Sequence, residues 1–285
     1  MTVQLNKDMF TPTTEAAFCI ITPTEYLEYY APNSGTHLVL AHLVDSDPTY
    51  AAFYKKLSEE GHRLMMDCSA FELGESYQPT RLVDLGKRCG AHAVVLPDYP
   101  FAPSVKTIDA AKKSIPRFKD AGFATFFVPQ SETGKLSDWI DGYLWAADNP
   151  NIDIIGMSIL GIPNAMPHIP AAYARVVMTQ LLIDRGVFAN KYHHYLGLNS
   201  APNVELPSLL KMNALNSCDS SNPVWCGING IHYNETYADF MGIQKKYLRS
   251  VDFDEPLTKK VHIHHCIQHN VNVTLDIFKN PTKYL

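Results

Sequence analysis

The chain has 285 residues, 46% of them hydrophobic, and a formal net charge of -5. That length and apolar content suit one large α/β domain spanning 1–285 better than two small ones. The negative charge excludes a generally basic nucleic-acid coat protein, while leaving room for a local basic groove.

After an irregular lead-in over 1–15, the apolar run 17–22 closes at Pro23 and reads as a strand. A turn at 32–35 precedes a second strand over 37–44. Asp47-Pro48 opens a helix that Gly61 ends, and 64–67 is the third strand. Pro79 starts the next helix, Gly90 stops it, and 93–98 is the fourth strand. The alternation continues with helix 108–121, strand 124–129, helix 136–147, strand 152–158 and helix 170–185. Strand 192–198, helix 206–212 and strand 215–219 complete it. Short, continuously apolar strands alternating with helices imply a parallel sheet covered on both faces. Eight such units predict a (β/α)8 TIM barrel, whose chemistry sits at the C-terminal ends of the strands.

The six cysteines (19, 68, 89, 218, 226, 266) include no Cys-x-x-Cys pair, so a reduced protein without a disulfide frame is expected. No run of eighteen apolar residues occurs and no secretory pattern opens the chain, so a soluble, cytoplasmic protein with no membrane partner is expected. A homo-oligomer is compatible with the sequence.

Polar residues recur where a barrel rim would need them. Asp67 ends the third strand, Asp98 the fourth, Gln130 the fifth and Asp219 the eighth, with Gly156 and Gly197 in the sixth and seventh. Any one acid after an apolar run is equally well read as a helix cap. Six converging positions favour a site. Asp67 and Asp219 are the expected catalytic pair.

The same stretches resemble a known family. Asp67-Cys68-Ser69-Ala70-Phe71 is similar to the Asp-Ser-Gly-Gly-Tyr/Phe motif of the queuine and archaeosine tRNA-guanine transglycosylases. Phe127-Val128-Pro129-Gln130 resembles their Gly-Ile-Val-Gln, and the block opening Ile155-Gly156-Met157-Ser158 resembles Ile-Gly-Gly-Leu. Tyr195-Leu196-Gly197-Leu198 resembles Leu-Met-Gly-Val. Asp219-Ser220-Ser221-Asn222-Pro223 keeps the Asp-to-Pro spacing of Asp-Cys-Val-x-Pro, and Asn229-Gly230 keeps the Asn-Gly that follows. The likeness is strongest to viral relatives that place 7-deazaguanine bases in DNA, and it covers about residues 60 to 230.

The resemblance implies base exchange at a nucleotide C1′. Asp219 would be the nucleophile that holds the sugar covalently, and Asp67 would handle the protons. Phe71, Asp98, Gln130, Gly156, Met157, Ser158, Leu196 and Gly197 would bind the purine, with Phe71 and Leu196 on its two faces. The amides near Gly156 and Gly197, with Gln130, would suit guanine O6. The expected partners are DNA and a free 7-deazaguanine base, the alternative being tRNA. In a virus the setting would be the host cytoplasm. An unrelated barrel glycosidase and a silent purine-binding barrel are the competing classes.

The chain also departs from the family. It lacks the Cys-x-Cys-x-x-Cys zinc subdomain, and the C-terminal His262, His264, His265, Cys266 and His269 read as a His-rich helix, so no cofactor and no metal are expected. The basic residues two and five places after the motif proline are replaced by Trp225 and Ile228. Trp225 is expected to stack on a neighbouring base. The Glu that supports a cationic aminomethyl base is replaced by Ile162, expected to offer an apolar wall to a neutral 7-cyano group.

Overall fold

Eight parallel strands stand in the order β1-β8-β7-β6-β5-β4-β3-β2. They are β1 (Ala17–Ile20), β2 (Thr36–Leu40), β3 (Arg63–Asp67), β4 (Ala93–Val95), β5 (Ala124–Phe127), β6 (Ile154–Gly156), β7 (Tyr192–Tyr195) and β8 (Ser217–Ser220). The two end strands, β1 and β2, lie against each other and bring the sheet round to a nearly closed (β/α)8 barrel. The computed structural model describes residues 6–13, 15–198 and 200–285. Positions 1–5 and 14 of the lead-in lie outside the described residues, and 6–8 within it are helical rather than irregular.

All residues of β2 and of β4 to β8 are buried, because barrel side chains cover one face and helices the other. The outer ring comprises α1 (Pro48–Glu59), α2 (Pro79–Cys89), α3 (Ser104–Asp120), α4 (Leu136–Asp148), α5 (Ala171–Asp184) and α6 (Pro202–Lys211). After β8 come α7 (Asn222–Ile228) and the long α8 (Val261–Lys279). Local chemistry sets these boundaries. The Asp47 carboxylate accepts from the Thr49 and Tyr50 amides at 2.8 and 3.2 Å, with Pro48 in the first turn. Gly90 ends α2 at φ 75°, a left-handed cap that suits glycine.

The predicted elements are present, with one difference in kind. The run 37–44 is not one strand: β2 stops at Leu40, and Ala41–Ser46 is helical. Elsewhere the apolar runs outlast the ladders. Leu96, Val128 and Met157 lie beyond the last strand residue yet stay buried, so the chain descends into the mouth as irregular backbone. Among the described residues, no helix is long and apolar enough to cross a membrane.

Candidate active site

A cavity of about 580 Å³ opens at the C-terminal ends of the strands. Asp67, Phe71, Asp98, Gln130, Ser158, Leu196, Gly197 and Asp219 all line it, so eight of the ten candidate residues share one space. Leu38, Leu40, Val128, Ile159, Leu160 and Leu198 supply apolar wall. Ser250, Val251 and Phe253, from the segment before α8, close one side.

Asp219 is held by two donors on a single oxygen. It is 8% exposed, and its Oδ1 accepts from the Gly197 amide at 2.9 Å and from His194 Nε2 at 3.1 Å. The other ring nitrogen, Nδ1, lies 2.6 Å from Ser217 Oγ. A carboxylate only accepts, so Nε2 carries the hydrogen and Nδ1 accepts from the Ser217 hydroxyl in the neutral ring. Ser217 and Asp219 are two apart on β8, and His194 is the neighbouring rung of β7. The relay therefore follows from strand register alone.

Beneath this lies a clamp on the backbone. Arg175 of α5, 0% exposed, reaches under the tips of β6 and β7. Its Nη1 donates to the carbonyls of Met157 and Leu196 at 3.0 and 2.9 Å, and Nη2 to that of Gly197 at 2.6 Å. Nε and Nη2 also grip the buried Glu205 of α6. All five guanidinium hydrogens are used. The clamp fixes Gly197, whose amide holds Asp219.

Asp98 and Gln130 form a second unit. Gln130 Nε2 donates to Asp98 Oδ2 at 2.6 Å, and Cys68 Sγ to Asp98 Oδ1 at 3.1 Å. Burial pushes the Asp98 carboxyl up, and these two donors oppose the rise. Both side chains line the cavity while bonded to each other.

Asp67 is half-buried, with Oδ2 accepting from the Ser69 amide at 3.0 Å. Ser69 itself sits at φ 57°, and its hydroxyl lies 3.0 Å from His42 Nδ1. Burial pushes the Asp67 carboxyl well above the usual carboxylate range, and Glu72, Asp98 and Asp219 push the same way. Glu72, at the mouth, is also raised, first by its partial enclosure and then by Asp219.

A stability prediction follows for Asp67. The folded form binds its proton more tightly than the unfolded chain, so its stabilising contribution is complete below the unfolded carboxylate value and is lost as pH rises through the folded one. Asp67→Asn keeps the neutral shape at every pH. Its Tm should climb relative to wild type as pH rises above about 4, the ordinary carboxylate value, and through the raised folded one. Parallel Tm curves over that range would refute the shifted carboxyl.

Several expectations fail on geometry. Met157 is fully buried in the core, its amide donating to the His194 carbonyl at 2.8 Å, and it does not reach the cavity. Gly156 lies under the floor: a Cβ there would meet Val128 at 2.8 Å, Phe126 at 2.9 Å and Leu196 at 3.1 Å. Its role is to let those walls close, not to touch a ligand. The Gly197 amide is engaged by Asp219 rather than free for a guanine oxygen. Ile162 is fully buried in the helical turn Gly161–Ala165 and lines no part of the cavity; Ile159 and Leu160 form that wall instead.

Trp225 is the largest correction. It is 1% exposed and cannot stack on a base. Pro223 starts α7, whose first turns rotate the indole inward, where Nε1 donates to the Arg249 carbonyl at 2.8 Å. Ile228 packs against the small cluster beneath α8. Gly227 permits this docking, since a Cβ would come within 2.5 Å of Ile267. The C-terminal histidines disperse along α8. His264 binds Tyr30 Oη and the Thr258 carbonyl, His269 binds the Tyr233 carbonyl, and His262 and His265 are exposed. Among the described residues no three metal-ligating side chains gather.

Sequence reasoning passed over His194, Ser217, Arg175, Glu205 and Glu72. A signal for the first existed: a histidine inside an otherwise buried strand needs a partner. No known family model matches the chain, and no curated protein matches it.

Proposed function

We propose that the protein exchanges guanine in DNA for a 7-deazaguanine base, by way of a covalent bond between the sugar C1′ and Asp219. The observation that carries this reading is the placement of Asp219, Asp67 and the Asp98–Gln130 pair around one largely apolar cavity. A cavity of that size accommodates a purine and part of its sugar.

Each group then has a task. The Asp219 carboxylate, oriented by Gly197 and His194, attacks C1′ as the bond to guanine N9 breaks and the electron pair leaves with the base. Asp67, held in its protonated form by burial, supplies the proton that the departing base takes up. The incoming base returns a proton to Asp67 as its nitrogen attacks C1′ and the Asp219 ester breaks. Atoms and charge balance, and no water is needed. Apolar walls disfavour water capture of the sugar while the bases change places. Asp98 and Gln130 suit the donors and acceptor of guanine's pyrimidine edge.

The choice of DNA rests on the absent basic pair after Pro223, not on Trp225, which is buried. The test offers DNA and tRNA in parallel with 7-cyano-7-deazaguanine, followed by digestion to nucleosides. The modified deoxynucleoside is expected. Modified guanosine from tRNA alone would reverse the choice, and modification of neither would refute the reading. In competition, the neutral 7-cyano base should outcompete the 7-aminomethyl base, because the walls at Ile159, Leu160 and Leu198 offer an ammonium no partner. Preference for the amine would place its partner at Glu72.

A further inference from the structure

Phe101 is held in a conformation that its side chain does not favour. The turn Tyr99–Ala102 is closed by the Ala102 amide on the Tyr99 carbonyl at 3.2 Å, with Pro100 second and Phe101 third. Phe101 has φ 63°, the left-handed region that such a turn reserves for glycine or asparagine. Its ring is nevertheless 54% exposed, so no core packing offsets the strain. Pro100, the residue before it, lines the cavity. A bulky residue at positive φ in a turn beside a site is an outlier that points to function.

The surroundings indicate what the ring meets. Phe71, on the cavity wall after β3, is 70% exposed and belongs to the pocket itself. Phe101 stands outside the lining, next in the chain to Pro100, which belongs to it. Lys106, exposed in the first turn of α3, places Nζ 4.1 Å from the centroid of the Tyr99 ring, so a cation stands beside the same turn. An exposed aromatic face with a cation near it is the pairing that nucleic-acid strands use, the ring taking a base and the cation a phosphate. The neighbour of a base drawn into the cavity would lose a stacking partner, and Phe101 stands where one could be replaced.

We propose that Phe101 stacks on the nucleotide adjacent to the exchanged guanine and holds the strand open at the cavity mouth. This rests on the base-exchange reading for its location, but it concerns strand binding rather than chemistry.

The test uses the full chain and a short single-stranded DNA containing one guanine with 2-aminopurine beside it. Wild type should quench the 2-aminopurine fluorescence on binding. Phe101→Gly and Phe101→Leu should bind about tenfold more weakly and lose the quench, while Phe101→Tyr should restore both. Phe101→Gly should melt at or above the wild-type Tm, because glycine accepts that φ without strain, so weaker binding cannot be blamed on misfolding. Binding by Phe101→Leu equal to wild type would overturn stacking in favour of plain apolar contact. Failure of wild type to bind the strand would overturn the proposal as well. Exchange of labelled guanine is measured alongside. Strand binding that depends on Phe101 without any exchange would leave this inference standing and refute base exchange. Exchange and binding unaffected by Phe101→Gly would do the reverse.

Discussion

Asp219→Asn is expected to abolish base exchange, lowering the rate by about three orders of magnitude or more, while leaving the fold intact. The amide oxygen can still accept from the Gly197 amide and His194 Nε2, so the local structure has little reason to change. What it loses is the nucleophile: a carboxamide does not form a stable ester with C1′. Two measurements separate this from a folding defect. Tm should stay within a few degrees of wild type. Wild type quenched during turnover should carry a covalent nucleotide adduct, by intact mass, and the variant should not. Exchange by Asp219→Asn near the wild-type rate would remove Asp219 from the mechanism. An adduct mapped to Asp67 or Glu72 would assign the nucleophile there.

The barrel was legible because its strands are buried on both faces and so read as unbroken apolar runs, with glycine and proline marking the helix ends. The error over 37–44 has the same origin. A buried strand and a buried helical turn are both continuously apolar, and periodicity cannot separate them over eight residues. The acids were legible because each ends such a run. Asp67, Asp98 and Asp219 stand out where Arg175, in the middle of the α5 helix, does not. Nothing near Arg175 in sequence hints that its guanidinium reaches the carbonyls of Met157, Leu196 and Gly197, because those contacts are made across two loops. His194 hid for another reason: it is one of two adjacent histidines on β7, and only register with β8 shows which meets Asp219. The second, His193, bonds Tyr143 Oη at 2.9 Å, and burial lowers its pKa to about 4. Trp225 shows the limit of spacing as a guide. Its distance from Pro223 placed it at the rim, but the helix that Pro223 starts turns it toward the Arg249 backbone.

The Arg175–Glu205 pair makes the last prediction, and it separates stability from positioning. Arg175→Met leaves the Glu205 carboxylate buried without its partner and removes the guanidinium from three carbonyls, of which that of Leu196 keeps the Ile159 amide. Breaking a buried pair from one side costs about 3–5 kcal/mol. For a chain of this size that corresponds to a fall in Tm of roughly 10 °C. Arg175→Met combined with Glu205→Met removes the stranded charge, so the double variant should melt well above the single one. Its exchange rate should not recover in step. The Gly197 carbonyl would still lack its clamp, and with it the fixed position of the amide that orients Asp219. A rate loss out of proportion to the stability loss in the double variant is therefore the expected signature, and it should appear in kcat more than in KM because the Asp98–Gln130 pair, to which the proposed reading gives the purine, is untouched. Wild-type turnover by the double variant would reduce the clamp to a packing feature with no part in holding the nucleophile.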